Sequence, residues 1–349
     1  MSGGVDSSAA AALLLAQGYE VIGITLKLWP QKCVNLAEDK CCGPQAVTDA
    51  RAVCDRLGIP YYLVDESAEF QRRVIQYFAD EYKAGRTPNP CVVCNQYLKF
   101  GRLLDRADQL GAQFLATGHF ARVEKSVDGS RYLLKRGRDR RKDQSYFLFA
   151  LRQNQLARAL FPLGEKTKGD AREVARHRQL KTAEKEESME ICFVPDNNYG
   201  GFLQSANLVR KHRGEIVDLH GRVLGHHDGI EFYTIGQRKG LGITTPKPVY
   251  VIELDAENNR VVVGDDSALD RDEFTAGNCN WHPFDTLAGP IEVTAKIRYN
   301  HPGTPATVTP LGSDSVRVKL HTPQRAITPG QAAVFYQDEV VVGGGWICR

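Results

Sequence analysis

The chain begins with a stretch of glycine, aspartate and serine whose composition suits an anion-binding loop. Residues 2–8 read SGGVDSS and lead directly into the run AAAALLLAQG. That run predicts a helix, capped by Ser2, Asp6 or Ser7 and ended by Gly18. Glycines let an anion approach the backbone, and N–H groups at a helix start attract negative charge. The stretch lacks the Lys-Ser or Lys-Thr of a Walker loop, so a plain glycine turn is the alternative.

Cysteines form the second group of residues suited to chemistry. In GRTPNPCVVCNQYLKF, residues 85–100, Cys91 and Cys94 follow a turn at Asn89-Pro90 and precede a predicted helix. Thiols spaced three apart at a helix start share one face, and the helix dipole lowers a thiol pKa toward the reactive thiolate. Two buried cysteines are the alternative. Cys192 lies in a short apolar run and by itself is typical of a core cysteine.

The elements around these residues predict an α/β domain. Strand patterns cover 19–29, 59–65 and 112–120, and helix patterns cover 47–58, 67–85 and 100–111, with Thr48 as a cap and Gly58 as a stop for the first of these helices. Strands alternating with helices indicate a parallel sheet, whose ligands bind beyond the carboxyl ends of the strands, where the loop at 2–8 would lie. Because Met1 already belongs to that loop, we expect the sheet to lack most of its first strand.

The residue composition and the hydrophobic pattern change after about residue 201. Residues 214–243 are rich in glycine and β-branched residues, and the segments IEVTAKIRY, SVRVKL and AAVFYQDEVVVGGGWI alternate apolar and polar positions. Such patterns predict short antiparallel strands in a small barrel or sandwich.

Composition narrows the class of protein. A chain of 349 residues with 25% charged and 42% hydrophobic residues is long enough for two or three globular domains. No signal peptide or membrane-length apolar run is evident, so we expect a cytoplasmic protein. In a reducing compartment, nine cysteines favour catalysis, metal binding or burial over a disulfide framework. Cys33, Cys41, Cys42 and Cys54 match no common zinc spacing, which favours buried thiols.

Eight motifs, in order, resemble the bacterial-type tRNA-specific 2-thiouridylases over essentially the whole chain. They are MSGGVDSS, GRTPNPCVVCN, ATGHFAR (116–122), KDQSYFL (142–148), FPLGEKTK (161–168), EICF (190–193), YTIGQRKGLGI (233–243) and PGQAAVFY (329–336). The resemblance implies an α/β domain of the adenine-nucleotide alpha hydrolase-like type, with a parallel sheet, over 1–201. A small connecting domain over 202–270 and a C-terminal β-barrel that binds tRNA over 271–349 would follow.

The resemblance also implies a reaction. ATP, accompanied by Mg²⁺, would convert the C2 oxygen of the wobble uridine in tRNAs for lysine, glutamate and glutamine into an adenylate. Sulfur would arrive as a persulfide on Cys192, and Cys94 would either attack that persulfide or resolve the product as a Cys94–Cys192 disulfide. The implied ATP-binding positions are Met1, Ser2, Gly3, Gly4, Val5, Asp6, Ser7, Leu26 and Gly118.

Contacts with tRNA carry over in the same way. Asn89, Pro90 and Cys91 would border the target base. The other implied tRNA-contacting positions are His119, Lys142, Asp143, Gln144, Arg298, Tyr299 and Gln331. Two basic stretches agree with an RNA partner: KRGRDRRK at 135–142, with six basic residues against one acid, and NLVRKHRG at 207–214. A solvated charged face is the alternative for both.

Three further alternatives stay open at this point. Cys91 stands where many relatives have aspartate, and Cys91, Cys94 and Cys192 together would suit an iron–sulfur cluster that carries the sulfur. An amide-forming ATP pyrophosphatase would share the glycine loop but would not need the paired cysteines. A non-catalytic RNA-binding protein would have the same fold but would lack the activity. The thiolation hypothesis requires two partners, tRNA and a sulfur donor, which is either a cysteine desulfurase or a relay protein.

Overall fold

The computed structural model describes residues 1–28, 43–186 and 191–348. Cys33, Cys41 and Cys42, and Glu190 of the EICF motif, lie outside the described residues. The chain forms two compact units. Unit 1 comprises Met1–Val74, Cys91–Asn197 and Glu339–Val342, and unit 2 comprises Ile75–Pro90, Asn198–Asp338 and Gly343–Arg349. The division into domains at 1–201, 202–270 and 271–349 stays a prediction.

The α-helices of the described residues are α1 (Val5–Ala16), α2 (Pro44–Leu57), α3 (Ser67–Phe70), α4 (Gln76–Lys83), α5 (Pro90–Cys94), α6 (Leu103–Gln109), α7 (Gln153–Leu156), α8 (Lys168–His177) and α9 (Tyr199–Ser205). The strands are β1 (Gly23–Lys27), β2 (Tyr61–Asp65), β3 (Leu115–Ala116), β4 (Ala121–Lys125), β5 (Tyr132–Arg136), β6 (Ala159–Leu160), β7 (Gly214–Asp218), β8 (Val223–His227), β9 (Tyr250–Asp255), β10 (Arg260–Gly264), β11 (Asp270–Trp281), β12 (Ile291–Lys296), β13 (Thr304–Pro310), β14 (Val316–Arg325), β15 (Ala332–Gln337) and β16 (Val340–Ile347).

Unit 1 has the predicted α/β character. Strands β1 and β2 pair in parallel, from Gly23 opposite Tyr61 to Lys27 opposite Asp65, and β3 pairs in parallel with β6. Helix α1 packs against α8 and α2 through small and branched apolar residues, among them Val5, Val53 and Ala175, all buried. The α/β prediction with parallel strands is therefore confirmed.

The boundaries of the elements depart from the sequence patterns in several places. Helix α2 begins at Pro44, with Gly43 as its extended N-cap, so the prediction of Thr48 as the cap was wrong. Proline suits the first helical position because its fixed φ is helical and its missing N–H is not needed there. The Thr48 hydroxyl instead donates to the carbonyl of Pro44 at 3.0 Å. Gly58 ends α2 in a left-handed conformation, with φ of +69°, as predicted.

The chain around the helices predicted over 67–85 and 100–111 contains π-helical turns. Residues Gln71–Ile75 form one between α3 and α4, and Asn95–Arg102 form another between α5 and α6. The second helical stretch therefore starts at Pro90 rather than at residue 100. The strand predicted over 112–120 is reduced to the two residues of β3.

Unit 2 contains two β-structures. A four-stranded sheet has the order β8-β7-β10-β9 and packs on a cluster that includes Ile216, Val251 and Val261. The second structure is a closed barrel in which β11, β14, β13, β12, β15 and β16 follow one another, and β16 returns to pair with β11. The predicted C-terminal β-barrel is confirmed. Among the described residues, no helix is both long enough and apolar enough to span a membrane.

Packing inside the barrel gives the first prediction. Phe335 is fully buried, and its ring stacks on Trp281 with centroids 5.9 Å apart. Phe335→Ala leaves a cavity and should lower the free energy of unfolding of the barrel by about 3–5 kcal/mol, measured by urea denaturation. Leu311→Ala is the control, since Leu311 is half exposed and its loss should cost no more than about 0.5 kcal/mol. Equal losses from the two variants would contradict the assigned packing.

Candidate functional site

The glycine loop is held by contacts that leave no room for side chains. Gly3 has φ of +68°, and a Cβ at this position would lie 2.4 Å from the carbonyl oxygen of Ala46. Only glycine fits such a position. The Ser7 hydroxyl donates to the carbonyl of Gly4 at 3.2 Å and accepts from the N–H of Ser2 at 3.1 Å. The loop is therefore a fixed turn around the start of α1.

The start of α1 differs from its prediction in a way that favours anion binding. Its N-cap is Gly4, in an extended conformation, and no side chain caps the helix. The prediction of a cap by Ser2, Asp6 or Ser7 was therefore wrong, because the N-cap position falls on a residue without a side chain. The first N–H groups of an uncapped helix keep their donors available for a ligand, and the helix dipole makes that ligand an anion.

Gly118 brings a second motif onto this loop. A Cβ built on Gly118 would lie 2.6 Å from the carbonyl carbon of Asp6 and 2.7 Å from the backbone nitrogen of Ser7. The backbones of the SGGVDSS and ATGHFAR motifs therefore touch directly. Because Gly118 follows the end of β3, the contact lies at the carboxyl end of a parallel strand, where α/β sheets place their ligands.

The end of β1 joins the same loop. The Met1 amino group donates to the carbonyl of Ile24, and the Thr25 hydroxyl donates to the carbonyl of Met1 at 2.7 Å. Leu26, which the resemblance places on the adenine side of a nucleotide, is the next residue of β1. Unit 1 thus brings residues 1–7, Leu26 and Gly118 to one region.

Lys168 is a functional candidate that sequence reasoning missed. It is the first residue of α8, and its Nζ lies 2.5 Å from Oδ1 of Asp6. The side chains of Lys168 and Asp6 are 12% and 33% exposed. The ammonium group therefore stands beside the loop, at the end of the FPLGEKTK motif. In the sequence, only its place in that motif pointed to Lys168. The two residues are 162 positions apart, so no local pattern indicates that Lys168 contacts Asp6.

The cysteine motif occupies a short helix. Pro90 starts α5 and Cys94 ends it, with Val92 and Val93 buried between the two half-buried thiols of Cys91 and Cys94. Asn95 follows at once, and its side chain donates to the carbonyl of Phe147 at 3.0 Å. This bond anchors the end of α5 within unit 1.

Cys192 lies in a separate segment of unit 1. It is half-buried, and the adjacent Phe193 packs its ring edge-on against Phe70, with centroids 5.6 Å apart. The approach of Cys94 to Cys192 stays a prediction. Among the described residues, no three His, Cys, Asp or Glu side chains are grouped so that they could hold a metal ion. The iron–sulfur cluster on Cys91, Cys94 and Cys192 stays a hypothesis from the sequence.

Two predicted tRNA-contacting residues brace the chain in this structure. The buried carboxylate of Asp143 accepts from the N–H groups of Gly137 and Ser145, both at 3.1 Å. The side-chain oxygen of Gln144 accepts from the N–H of Phe120 at 3.0 Å, and the Gln144 N–H donates to the Phe120 carbonyl. These bonds hold residues 137–145 beside the ATGHFAR motif.

His119 lies at the centre of that motif, half-buried among aromatic rings. Its Nδ1 is 2.7 Å from the Thr117 hydroxyl, and the rings of Phe100 and Phe161 lie within 6.4 Å of its centroid. Burial, with a smaller contribution from the positive charge of Lys99, holds the pKa of His119 well below its usual value. The imidazole is therefore neutral at physiological pH.

Other predicted tRNA-contacting residues belong to unit 2. Arg298 donates to the carbonyl of Arg325 at 3.2 Å, and the Lys296 ammonium lies 5.6 Å from the centroid of the Tyr299 ring. The Gln331 side chain donates to the carbonyls of Thr87 and Pro88, each at 3.1 Å. Asn89 and Pro90, also in this unit, are buried.

The basic stretch at 135–142 is partly neutralised within unit 1. Arg136 lies 3.6 Å from Asp143, and Arg140 lies 2.7 Å from Glu339. Lys135 pairs with Glu124. Three of the six basic residues thus already have acidic neighbours, and Lys142 is half-buried with its N–H donating to the Asp139 carbonyl.

The close contact at Gly118 predicts that a methyl group added to this residue would push the ATGHFAR motif away from the SGGVDSS loop. Gly118→Ala should weaken ATP binding by tenfold or more, measured by isothermal titration calorimetry, because its Cβ collides with backbone atoms of the loop. Gly289→Ala is the matched control, since a Cβ there meets nothing within 4 Å. Unchanged ATP affinity in Gly118→Ala would contradict the placement of the nucleotide on this loop.

The depressed pKa of His119 predicts a pH dependence. Below pH 6.5 the unfolded chain binds a proton at this residue that the folded chain does not, so folding stability should fall as the pH drops. In His119→Gln, the free energy of unfolding should fall less between pH 7 and pH 5, by up to about 1.4 kcal/mol for each unit of pKa depression removed. Exposed His220→Gln is the control. Equal slopes in wild type and His119→Gln would refute the buried neutral imidazole.

Three parts of the chain match models of known protein families. Residues 1–196 match a family described as tRNA methyl transferase HUP domain. Residues 201–265 match one described as tRNA methyl transferase PRC-barrel domain, and residues 271–347 one described as aminomethyltransferase beta-barrel domain.

Whole-length relatives are also found. The tRNA-specific 2-thiouridylase MnmA of Carboxydothermus hydrogenoformans is 51% identical, with 99% of this chain and 96% of the relative covered. The tRNA-specific 2-thiouridylase MnmA 1 of Caldanaerobacter subterraneus is 50% identical over the same shares, and MnmA 2 of Clostridium botulinum is 48% identical over 99% and 97%. Half of all positions shared over the full length, together with the meeting of the glycine loop and the ATGHFAR motif, means that this chain belongs to the tRNA-specific 2-thiouridylase family.

Proposed function

We propose that this chain catalyses ATP-dependent 2-thiolation of the wobble uridine in tRNAs for lysine, glutamate and glutamine. The observation that carries the proposal is the contact of Gly118 with Asp6 and Ser7 at the uncapped start of α1. It creates an anion-binding turn at the carboxyl ends of β1 and β3. Membership of the 2-thiouridylase family supplies the reaction that such a turn serves.

The proposed first step activates the uridine. Its C2 oxygen is a poor leaving group, so this oxygen attacks the α-phosphorus of ATP and pyrophosphate leaves. The first-turn N–H groups of α1 bind the phosphates, and the Lys168 ammonium, next to Asp6, adds positive charge where the pyrophosphate separates. AMP later departs with the C2 oxygen when sulfur bonds to the carbon.

Magnesium is proposed to travel with the nucleotide. The described residues contain no group of three metal-binding side chains, so the phosphate oxygens of ATP would supply most of its ligands. The ion would offset the charge of the departing pyrophosphate.

The proposed second step transfers sulfur through two cysteines. A cysteine desulfurase or a relay protein loads Cys192 as a persulfide. The Cys94 thiolate then attacks the inner sulfur of that persulfide. This attack either releases hydrosulfide, which adds to the activated C2, or resolves the product after the outer sulfur has bonded to C2. Both orders end with a Cys94–Cys192 disulfide, and a thiol reductant then reduces this disulfide to the two free thiols while itself becoming oxidised. This route needs only Cys94 and Cys192, whereas the alternative route through an iron–sulfur cluster needs Cys91 as well.

Cysteine variants give the test of this function. Wild type, supplied with tRNA for glutamate, ATP, Mg²⁺, cysteine and a cysteine desulfurase, should form 2-thiouridine at the wobble position, measured by mass spectrometry of nucleosides. Cys94→Ser and Cys192→Ser should form at least 100-fold less, because each lacks one thiol of the transfer. Both should still exchange pyrophosphate into ATP when tRNA is present, since adenylation needs neither thiol.

One further variant is the control, and a second separates the persulfide route from the cluster route. Cys279→Ser should thiolate normally, because burial raises the pKa of Cys279 to about 12 and this thiol belongs to the barrel. Cys91→Ser should retain thiolation, since the persulfide route does not use Cys91. Absence of 2-thiouridine with the wild-type protein would overturn the proposed function, and full activity of Cys94→Ser would overturn the two-cysteine route.

A further inference from the structure

The turn at residues 328–331 makes hydrogen bonds to the residues that precede α5, the helix that contains Cys91 and Cys94. In unit 2, the N–H of Thr87 donates to the carbonyl of Pro329 at 2.8 Å. The Gln331 side chain donates both amide hydrogens, one to the carbonyl of Thr87 and one to that of Pro88. Three hydrogen bonds therefore fix two successive residues of the GRTPNP segment to a turn that lies more than 240 positions away in sequence.

The chemistry of these bonds defines the side chain required at position 331. Both partners are carbonyl oxygens, which only accept, so the NH₂ end of the amide must face them. An amide offers two donors on one nitrogen, whereas a carboxylate of the same shape offers none.

Gly330 allows the turn to approach residues 86 and 87 closely. Its φ is +87°, and a Cβ there would lie 2.9 Å from the Cβ of Arg86 and from the carbonyl oxygen of Thr87. Any side chain at 330 would push the segment away. The turn is itself tied to the end of β16, because the Gly330 N–H donates to the Ile347 carbonyl and the Ile347 N–H donates to the Gln331 carbonyl, both at 2.9 Å.

The segment is also held from its other side. The Arg86 guanidinium makes two hydrogen bonds to the carboxylate of Glu81, at 2.7 and 2.5 Å, and the Arg86 N–H donates to the Glu81 carbonyl. Between these restraints and Cys94 the chain has only one short helix, α5, which starts at Pro90. Only Asn89 separates the restrained residues 87 and 88 from the first residue of α5.

We propose that Gln331 is a positioning residue, which together with Gly330 fixes the Asn89–Cys94 segment for thiolation. We call residues 329–331 with their bonds to Thr87 and Pro88 the barrel clamp. This inference rests on the proposed function for its catalytic consequence. It changes the role expected for Gln331, because both of its amide donors are spent on the protein's own backbone.

The first arm of the test uses the protein without tRNA. Gln331→Glu keeps the size of the side chain but places a carboxylate against two carbonyls, so the clamp should open. Hydrogen exchange at the amides of Thr87 and Asn89, read by mass spectrometry of peptides covering 84–98, should accelerate tenfold or more. Unchanged exchange would overturn the clamp, whatever the activity of the protein.

The second arm separates positioning from direct tRNA binding. In Gln331→Glu the kcat for thiolation should fall tenfold or more, while the dissociation constant for tRNA changes by less than threefold. A contact with tRNA would give the opposite result: a weaker complex, with kcat at saturating tRNA preserved. That outcome would refute the positioning role. If the wild type shows no thiolation at all, the proposed function fails, whereas the exchange arm still decides on the clamp.

A matched variant and a second route to the same defect complete the design. Gln337→Glu is the control, because Gln337 is an exposed barrel glutamine that donates to a single carbonyl, that of Glu292, at 3.0 Å. It should leave both exchange and kcat unchanged. Gly330→Ala should reproduce the Gln331→Glu defects, and the double variant should be no slower than the worse single variant. If Gln331→Glu does not fold, Gln331→Met, which lacks the donors without adding charge, takes its place with the same expected results.

Discussion

The direct contact between the backbone of Gly118 and that of Asp6 and Ser7 is the constraint on which the candidate site depends. Two segments more than a hundred residues apart meet with no side chain between them, so the end of β3 and the start of α1 form one surface. The uncapped first turn of α1 then presents its N–H groups at the carboxyl ends of parallel strands. No side chain caps this turn, and the start of a helix favours negative charge, which is why the proposal places an anion here.

Within each unit, charges and hydrogen bonds join residues that are remote in sequence. In unit 1, Lys168 stands beside Asp6, and Gln144 ties residues 137–145 to Phe120. In unit 2, Gln331 holds the carbonyls that precede Asn89. Gln144 and Gln331 thus hold backbone groups, and Lys168 pairs with a side-chain carboxylate. The proposed chemistry therefore relies on a framework in which several residues expected to touch RNA already have partners in the protein.

Sequence patterns predicted the elements well and their ends less well. The alanine-rich run gave α1, Gly58 ended α2, and the alternating C-terminal segments became barrel strands. The predicted caps were wrong, because the N-cap positions of α1 and α2 fall on Gly4 and Gly43 and not on a serine, aspartate or threonine. Helix propensity acts locally, whereas the start of a helix also depends on where the preceding chain is held. Gly3, pressed against Ala46, is one such restraint.

The sequence by itself determined the α/β character of the first part, the β-rich second part, the anion-binding composition of the loop, and the family to which the chain belongs. Each of these properties follows from short runs of residues, through their hydrophobic periodicity, their composition or a motif. Only the tertiary structure decided that Lys168 faces Asp6, that Gly118 touches the loop, and that Gln331 grips Thr87 and Pro88. Those pairs are separated by 111 to 244 positions in sequence. Which distant donor meets which acceptor depends on how whole elements pack, and no local pattern encodes that packing.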